Sequence, residues 1–372
     1  MGRKYYACSV MLVILLAVFI MPALAATQSS MQSPARLYPF LSNGLWGYID
    51  RTGRVIVKPT LEWADDFAEG MGRIRVNGKY GFINTVGKLV VIPQYAEAEQ
   101  FSDGLAQVTI KRNVKKASFP PHGGSSDPYL HQFAWIDRNG KEVLRKIAAD
   151  AGSFHNGYAT ATLDKLEPVY LDKKGNKSFG RRFSQVNSFS EGLAFEEEVI
   201  GYTGDYERTS AMICIDAKGH QVFKNKDSMQ CWSFSDGLAR MEIDRTYGYM
   251  NTTGQVVISP RFTSGMTGDF HDGRARIECG ERQWRFIDKS GGFIPGQYES
   301  ASNFSEGLAA VRINKKWGYI NTAGAMVIDP RFDTARQFIG GLACVHDPGN
   351  SEHPAGIGYI DKSGKYVWGP TE

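Results

Sequence analysis

The chain has 372 residues, 42% of them hydrophobic, 12% aromatic and 22% charged, which is enough apolar material for a folded core and excludes a disordered polymer. Its 43 Lys and Arg against 39 Asp and Glu leave a formal charge of +4, too small a surplus for general nucleic-acid binding. The 41 Gly, with 7 Trp, 17 Tyr and 21 Phe, favour many turns between short β segments, because Gly weakens helix interiors and aromatics suit pleated surfaces.

In chain order, the first expected element is a secretory signal peptide over residues 1–25. Gly2-Arg3-Lys4 is a cationic start, Val10 to Ile20 an apolar run too short to span a bilayer, and Pro22-Ala23-Leu24-Ala25 a small-residue cleavage site. Cys8 precedes the run, so no lipid anchor is expected. Residues 26–35 read as a flexible leader and 36–372 as a single repeat array. The address is exported, whether periplasmic, cell-surface or secreted, with no stable membrane insertion after cleavage.

The array announces itself as a motif, aromatic-Gly-aromatic-Ile-Asp/Asn-x-x-Gly. Close copies begin at Trp46, Tyr80, Tyr247 and Trp317; degraded copies stand at Ala134 to Asp137, Val169 to Asp172, Ile213 to Asp216, Arg285 to Asp288 and Gly358 to Asp361. This makes about nine units with a period near 34 residues. A second block, Phe-Ser-Asp/Glu-Gly-Leu-Ala, starts at Phe101, Phe189, Phe234 and Phe304, with looser versions at Phe67, Phe154, Phe270 and Phe338. Between the blocks lies Pro-x-aromatic, as at Pro93-Gln94-Tyr95, Pro260-Arg261-Phe262 and Pro330-Arg331-Phe332.

Each unit reads as three antiparallel strands. Leu308 to Ile313 is β-prone, Trp317 to Asn321 returns, and Ala325 to Ile328 leaves; Asn77-Gly78 is a hairpin turn that needs positive φ at both residues. Pro after the third strand is expected to end the ladder. Small residues three places before the block's Phe, at Ala64, Ala98, Ala151, Ala301 and Ala335, suggest close contact between units.

These motifs resemble the WG-repeat, or KWG-repeat, family of bacterial proteins over nearly the whole mature chain. The resemblance implies a non-enzymatic exported or surface module, and some kinship with aromatic repeats that bind bacterial cell walls. A meander this short cannot bury enough surface alone, so units must stack on their neighbours. The expected architecture is all-β, an open twisted β-solenoid of three-stranded meanders, with a closed β-propeller as the alternative.

The residues offer little chemistry. The Asp or Asn after Ile recurs in every unit, which suits turn formation rather than a catalytic carboxylate needed once or as a pair. The seven His show no metal-ligand spacing, no Gly-x-Ser-x-Gly elbow is present, and no phosphate-cradling loop exists, so neither enzyme activity nor a cofactor or metal is expected. Of the four cysteines beyond the leader, Cys214 and Cys231 are the pair placed to bond; Cys279 and Cys344 should point to opposite faces.

Extra length enters at one place, the tip joining the first strand to the Trp-Gly strand: Asn113 to Gln132 in the third unit, Ile200 to Ser210 in the fifth and Asp347 to Gly356 in the ninth. Three such loops along one edge would form a binding rim of Lys111, Arg112, Lys115, Lys116, Phe119, His122, Tyr129 and His131, then Tyr202, Tyr206, Glu207 and Arg208, then His353. The expected function is protein–protein interaction by a non-enzymatic repeat scaffold, with recognition of a cell-wall or cell-surface polysaccharide as the alternative, and no nucleic acid partner.

Overall fold

A computed structural model describes residues 36–116, 129–164, 167–203, 207–224, 229–263, 266–280, 283–349 and 355–371, with backbone alone over 198–203 and 207–211. Among them, nine antiparallel sheets follow one another along the chain, six of them four-stranded. The second is representative: Trp63–Ala68, Met71–Val76, Lys79–Asn84 and Leu89–Tyr95 pair in sequence order as a meander. Asn77 and Gly78 turn its central hairpin at φ of 48° and 69°, as that dipeptide requires.

The unit is therefore larger than the three strands expected from sequence. The additional first strand carries the segment before the block's Phe, such as Trp63–Ala68, and its ladder slips between Ala64 and Phe67. An interrupted strand holding Asp65 and Asp66 has no period-2 alternation, so it reads as a spacer.

The last strand also runs further than expected, straight through its proline. Tyr80 pairs with Tyr95 and Phe82 with Val91, so three outer residues centred on Pro93 bulge opposite Gly81. A Cβ at Gly81 would lie 2.4 Å from the Val91 carbonyl oxygen and 2.7 Å from the Pro93 nitrogen; Gly248 and Gly318 are pressed in the same way by Ile258 with Pro260 and by Ile328 with Pro330. The glycine of the motif makes room for the bulged edge of its own sheet. Proline is tolerated because this strand has only one partner.

Nine apolar clusters lie between successive sheets. Tyr48 and Ile83 share one with Phe67, Phe82 one with Phe101, and Tyr319 one with Phe338. The ninth joins Leu342 and Tyr359 of the last sheet to Tyr38, Phe40 and Ile49 of the first. Polar contacts repeat the same logic. Tyr48 Oη donates to the Asp65 carbonyl at 2.8 Å, Tyr249 to Gly268 at 2.6 Å and Tyr319 to Arg336 at 2.8 Å, each in the following sheet. Tyr359 donates to Pro39 at 2.7 Å, which makes the first sheet the follower of the last. Tyr38 donates back to Gly340 at 2.6 Å, and the Phe40 and Trp368 rings pack 4.6 Å apart.

The open solenoid is thus overturned in favour of a closed, propeller-like ring. A solenoid would leave its first and last sheets with unmatched apolar faces; here an apolar cluster fills every seam, the one between last and first sheets included.

Candidate functional site

The recurring carboxylates and amides are held by turns. Asp50, Asn84, Asp137, Asp172, Asp216, Asn251, Asp288, Asn321 and Asp361 each accept, through Oδ1, from the backbone amides two and four residues later. The Asn176 amide holds the Asp172 carboxyl below the usual range, and the Ser290 hydroxyl does the same for Asp288. In the Ser-Asp/Glu-Gly turn the acid adopts positive φ, as at Glu69, Asp103 and Asp236, and its carboxylate reaches the glycine amide of the next sheet's turn. Glu69 accepts from Gly104 at 2.9 Å, Asp103 from Gly157 at 2.5 Å, Asp236 from Gly273 at 2.6 Å and Asp272 from Gly307 at 2.7 Å. Among the described residues no cluster of three His, Cys, Asp or Glu side chains forms a metal-binding group.

The three insertions leave from equivalent hairpin ends, each joining the paired strands on either side of it. Two of them are not loops over their described lengths. The second strand of sheet three extends over Ala106–Lys116 and pairs with Tyr129–Ile136, while in sheet five Leu193–Thr203 pairs with Glu207–Asp216 out to Thr203 opposite Glu207. They are β-hairpin arms. Lys111, Arg112, Lys115, Lys116 and Tyr129 are exposed on the first arm; Arg112 pairs with Glu97, and Lys115 Nζ lies 2.8 Å from Asp164. His131 is instead buried, its Nδ1 accepting from the Asn113 amide at 3.1 Å, so it braces the arm from within. Phe119, His122, Tyr206 and His353 lie outside the described residues, and Tyr202, Glu207 and Arg208 have only their backbone described.

The cysteines are thiols, and no disulfide joins Cys214 to Cys231 although both belong to one apolar cluster. Burial pushes the Cys214 thiol up to about 12, which suits a small core residue rather than a nucleophile.

Two features escaped the sequence reading. The first is Glu196, fully buried at the place on the strand before the Trp-Gly strand where other sheets carry Ile74, Val108, Met241, Ile277, Val311 and Val345. Burial raises its carboxyl to about 9, so it stands protonated at neutral pH. Its Oε1 contacts the Tyr170 hydroxyl and accepts from the Asn187 amide at 3.3 Å, while Oε2 has no partner. Aligning the repeats on their Leu-Ala step exposes this acid as the sole charge in an apolar column.

The second is a cavity of about 440 Å³ beside the closure seam. It is lined by Arg276 of sheet seven, Asn303 of sheet eight, Arg336 and Cys344 of sheet nine, Tyr38 of sheet one and Asp66 of sheet two, among others. Side chains from five consecutive sheets converge here because each comes from the inner, first-strand side of its sheet. Burial pushes the Asp66 carboxyl up, against the pull of Arg36 and Arg336.

A family profile described as "WG containing repeat" matches residues 46–80, 80–112, 247–282, 284–317 and 317–345. The stretch it passes over keeps the same construction, with Trp135 Nε1 donating to the Gly152 carbonyl at 3.0 Å where other sheets use tyrosine. No curated protein matches the chain. Solved structures that resemble it include BamB from Moraxella catarrhalis, at 10% identity over 83% of this chain and 93% of that one with a TM-score of 0.34. Apo AztD from Citrobacter koseri gives 14% identity, 82% and 92% coverage and a TM-score of 0.39. The beta-propeller domain of Myceliophteria thermophila Cps50 (Swd1) gives 8%, 75%, 96% and 0.35. These likenesses are remote in sequence and in shape, and ring closure rests on the chain's own nine seams. The repeated motif, its five profile matches and the recurrent sheet it builds identify the chain as a member of the WG-containing repeat family.

Proposed function

We propose that the chain is an exported, non-enzymatic scaffold that engages a protein partner with the face of the ring from which the hairpin arms project. The observation that supports this most is the arm of sheet three, an ordered ladder presenting Lys111, Arg112, Lys115, Lys116 and Tyr129 to solvent. Ordered arms lose less conformational entropy on docking than loose loops, and Tyr and Arg are residue types that dominate interface energies. The recurring carboxylates give no support to catalysis, since their acceptors are already committed to backbone amides.

The polysaccharide alternative needs aromatic rings free to stack on sugars. Tyr48, Phe82, Tyr249 and Tyr319 are wholly buried in the seams, which favours the protein partner. The test replaces the arms of sheets three and five with the Asn-Gly turn of sheet two and compares capture of host proteins after cross-linking. Loss of a partner by a trimmed chain that keeps its unfolding midpoint supports the reading. Undiminished capture, or retention on purified polysaccharide competed by free sugar, refutes it. Export is tested by mass spectrometry of the mature N-terminus, expected at Ala26.

A further inference from the structure

The cavity at the closure seam exists because two sheets lack a side chain that three others have. Two residues beyond the block's Leu position, sheets two, six and seven carry Arg73, Arg240 and Arg276. Each guanidinium donates to the carbonyl three places before the next sheet's Phe: Arg73 to Ala98, Arg240 to Thr267, and Arg276 to Ala301 at 2.8 Å. In sheets eight and nine the corresponding residues are Ala310 and Cys344. Ala335, whose carbonyl an arginine at 310 would reach, lines the open space instead.

The wall left behind carries guanidinium groups that no close ion pair among the described residues holds. Arg73 lies 2.9 Å from Asp65, and Arg240 3.8 Å from Asp269. Among the described residues Arg276 and Arg336 have no ion-pair partner, although both line the cavity. The charged side chains of the lining are two guanidinium groups and the carboxyl of Asp66, an excess of positive groups that suits an anion. Acceptors also wait here: Asn303 Oδ1 is buried with no hydrogen-bond partner, and Asp66 stands beside it in the lining. A ligand must therefore bring donors as well as an anion. Tyr38 and Tyr359 have already given their hydroxyl protons to Gly340 and Pro39, so their rings serve as apolar wall.

We propose that this cavity binds a small hydroxylated carboxylate of the sugar-acid class, with the anion on Arg276 and Arg336 and the hydroxyls on Asn303 and Asp66. The planar fork of arginine matches a carboxylate, and the cavity is of the size that holds a small organic ligand. Inorganic phosphate carries too much negative charge and too few donors for the same wall. The proposal goes beyond the scaffold reading and does not depend on it.

The test is isothermal titration calorimetry of the full mature chain with D-glucuronate, with D-glucose and inorganic phosphate as comparisons. Glucuronate should bind and the other two should not. Two variants locate the site. Arg336→Gln removes an exposed guanidinium that makes no ion pair, and Ala310→Arg fills the space as Arg276 fills its own; each should weaken glucuronate by roughly tenfold or more. Should Ala310→Arg fail to fold, Arg336→Gln decides alone. Absence of glucuronate binding, unchanged affinity in Arg336→Gln, or binding of phosphate or glucose in its place overturns the proposal.

Discussion

Replacing Glu196 by glutamine should make the protein more stable as pH rises, a direction opposite to the usual loss of a buried polar contact. The carboxyl titrates near 9 in the folded chain against 4.5 when solvated, so unfolding at neutral pH releases a proton. Stability from this group is fully present below the unfolded value and is lost as pH climbs towards the folded one. At pH 7 the loss amounts to about 2.5 pH units, or about 3.5 kcal/mol at about 1.4 kcal/mol per unit. Glutamine has nearly the same shape and no such linkage. With an unfolding entropy of about 2 cal/mol/K per residue over about 340 residues, the Tm of Glu196→Gln should exceed wild type by about 5 °C at pH 7. The gap should close by about pH 5 and widen by about pH 8. Differential scanning calorimetry across that range is the assay, with Glu196→Met, which copies Met241 of the next sheet, as a companion variant. A wild-type Tm that runs parallel to both variants at every pH would show that Glu196 is ionised in the folded chain and would refute the reasoning.

Gly318→Ala should cost about 2–4 kcal/mol, because the new Cβ meets the Ile328 carbonyl at 2.4 Å and the Pro330 nitrogen at 2.7 Å, neither of which is a flexible side-chain end; denaturant titration checks this, and a loss within about 0.5 kcal/mol contradicts the bulge argument. Tyr359→Phe leaves the Pro39 carbonyl without its 2.7 Å donor and should cost about 1–3 kcal/mol. Limited proteolysis of that variant should cut first in the opening or closing sheet, and cleavage elsewhere counts against the seam. Asp288 and Asp172 have lowered carboxyl values, so the stability they supply is present above the unfolded value and is lost as pH falls through the folded one. Asp288→Asn, an exchange already present at Asn251 and Asn321, should therefore flatten part of the decline in Tm below about pH 4, and an unchanged acid limb would show that Asp288 is not one of its sources.

The sequence made the repeat legible because its most informative residues act locally. Asp288 and Gly291 define a turn within four positions, and Asn77-Gly78 a hairpin within two. Tyr48, Tyr249 and Tyr319 mark the seams by recurrence alone. The first strand was not legible, since Ala64, Asp65 and Asp66 carry neither alternation nor β-branched residues, and the strand is held by pairing of the residues on either side of Asp65 and Asp66 to Met71–Val76. Closure was hidden for another reason: it sums small rotations over nine sheets, and no single residue encodes that sum. One local trace exists in the last block, where Ile339-Gly340-Gly341 replaces Ser-Glu-Gly. A Cβ at Gly340 would lie 2.6 Å from Arg36 and 2.7 Å from the Tyr38 hydroxyl, so the first sheet occupies the room that the missing side chain vacates. The cavity at the closure seam is visible only by its negative, Ala310 and Cys344 in a column that holds arginine in sheets two, six and seven, and the arms read as loops because Asn113 to Lys116 gives no apolar alternation.

Closure also bears on how such a gene can change. An open stack gains or loses internal repeats by recombination and merely becomes longer or shorter, because each repeat contacts only its neighbours. Here Tyr359 must find Pro39, and Phe40 must find Trp368, so deletion of one period would strand both halves of the joint. The tandem copies are therefore locked at a fixed copy number by the geometry of the joint. Variation has an outlet that leaves the count untouched: the hairpin ends, where sheets three and five have already grown outward without disturbing the seam at either side.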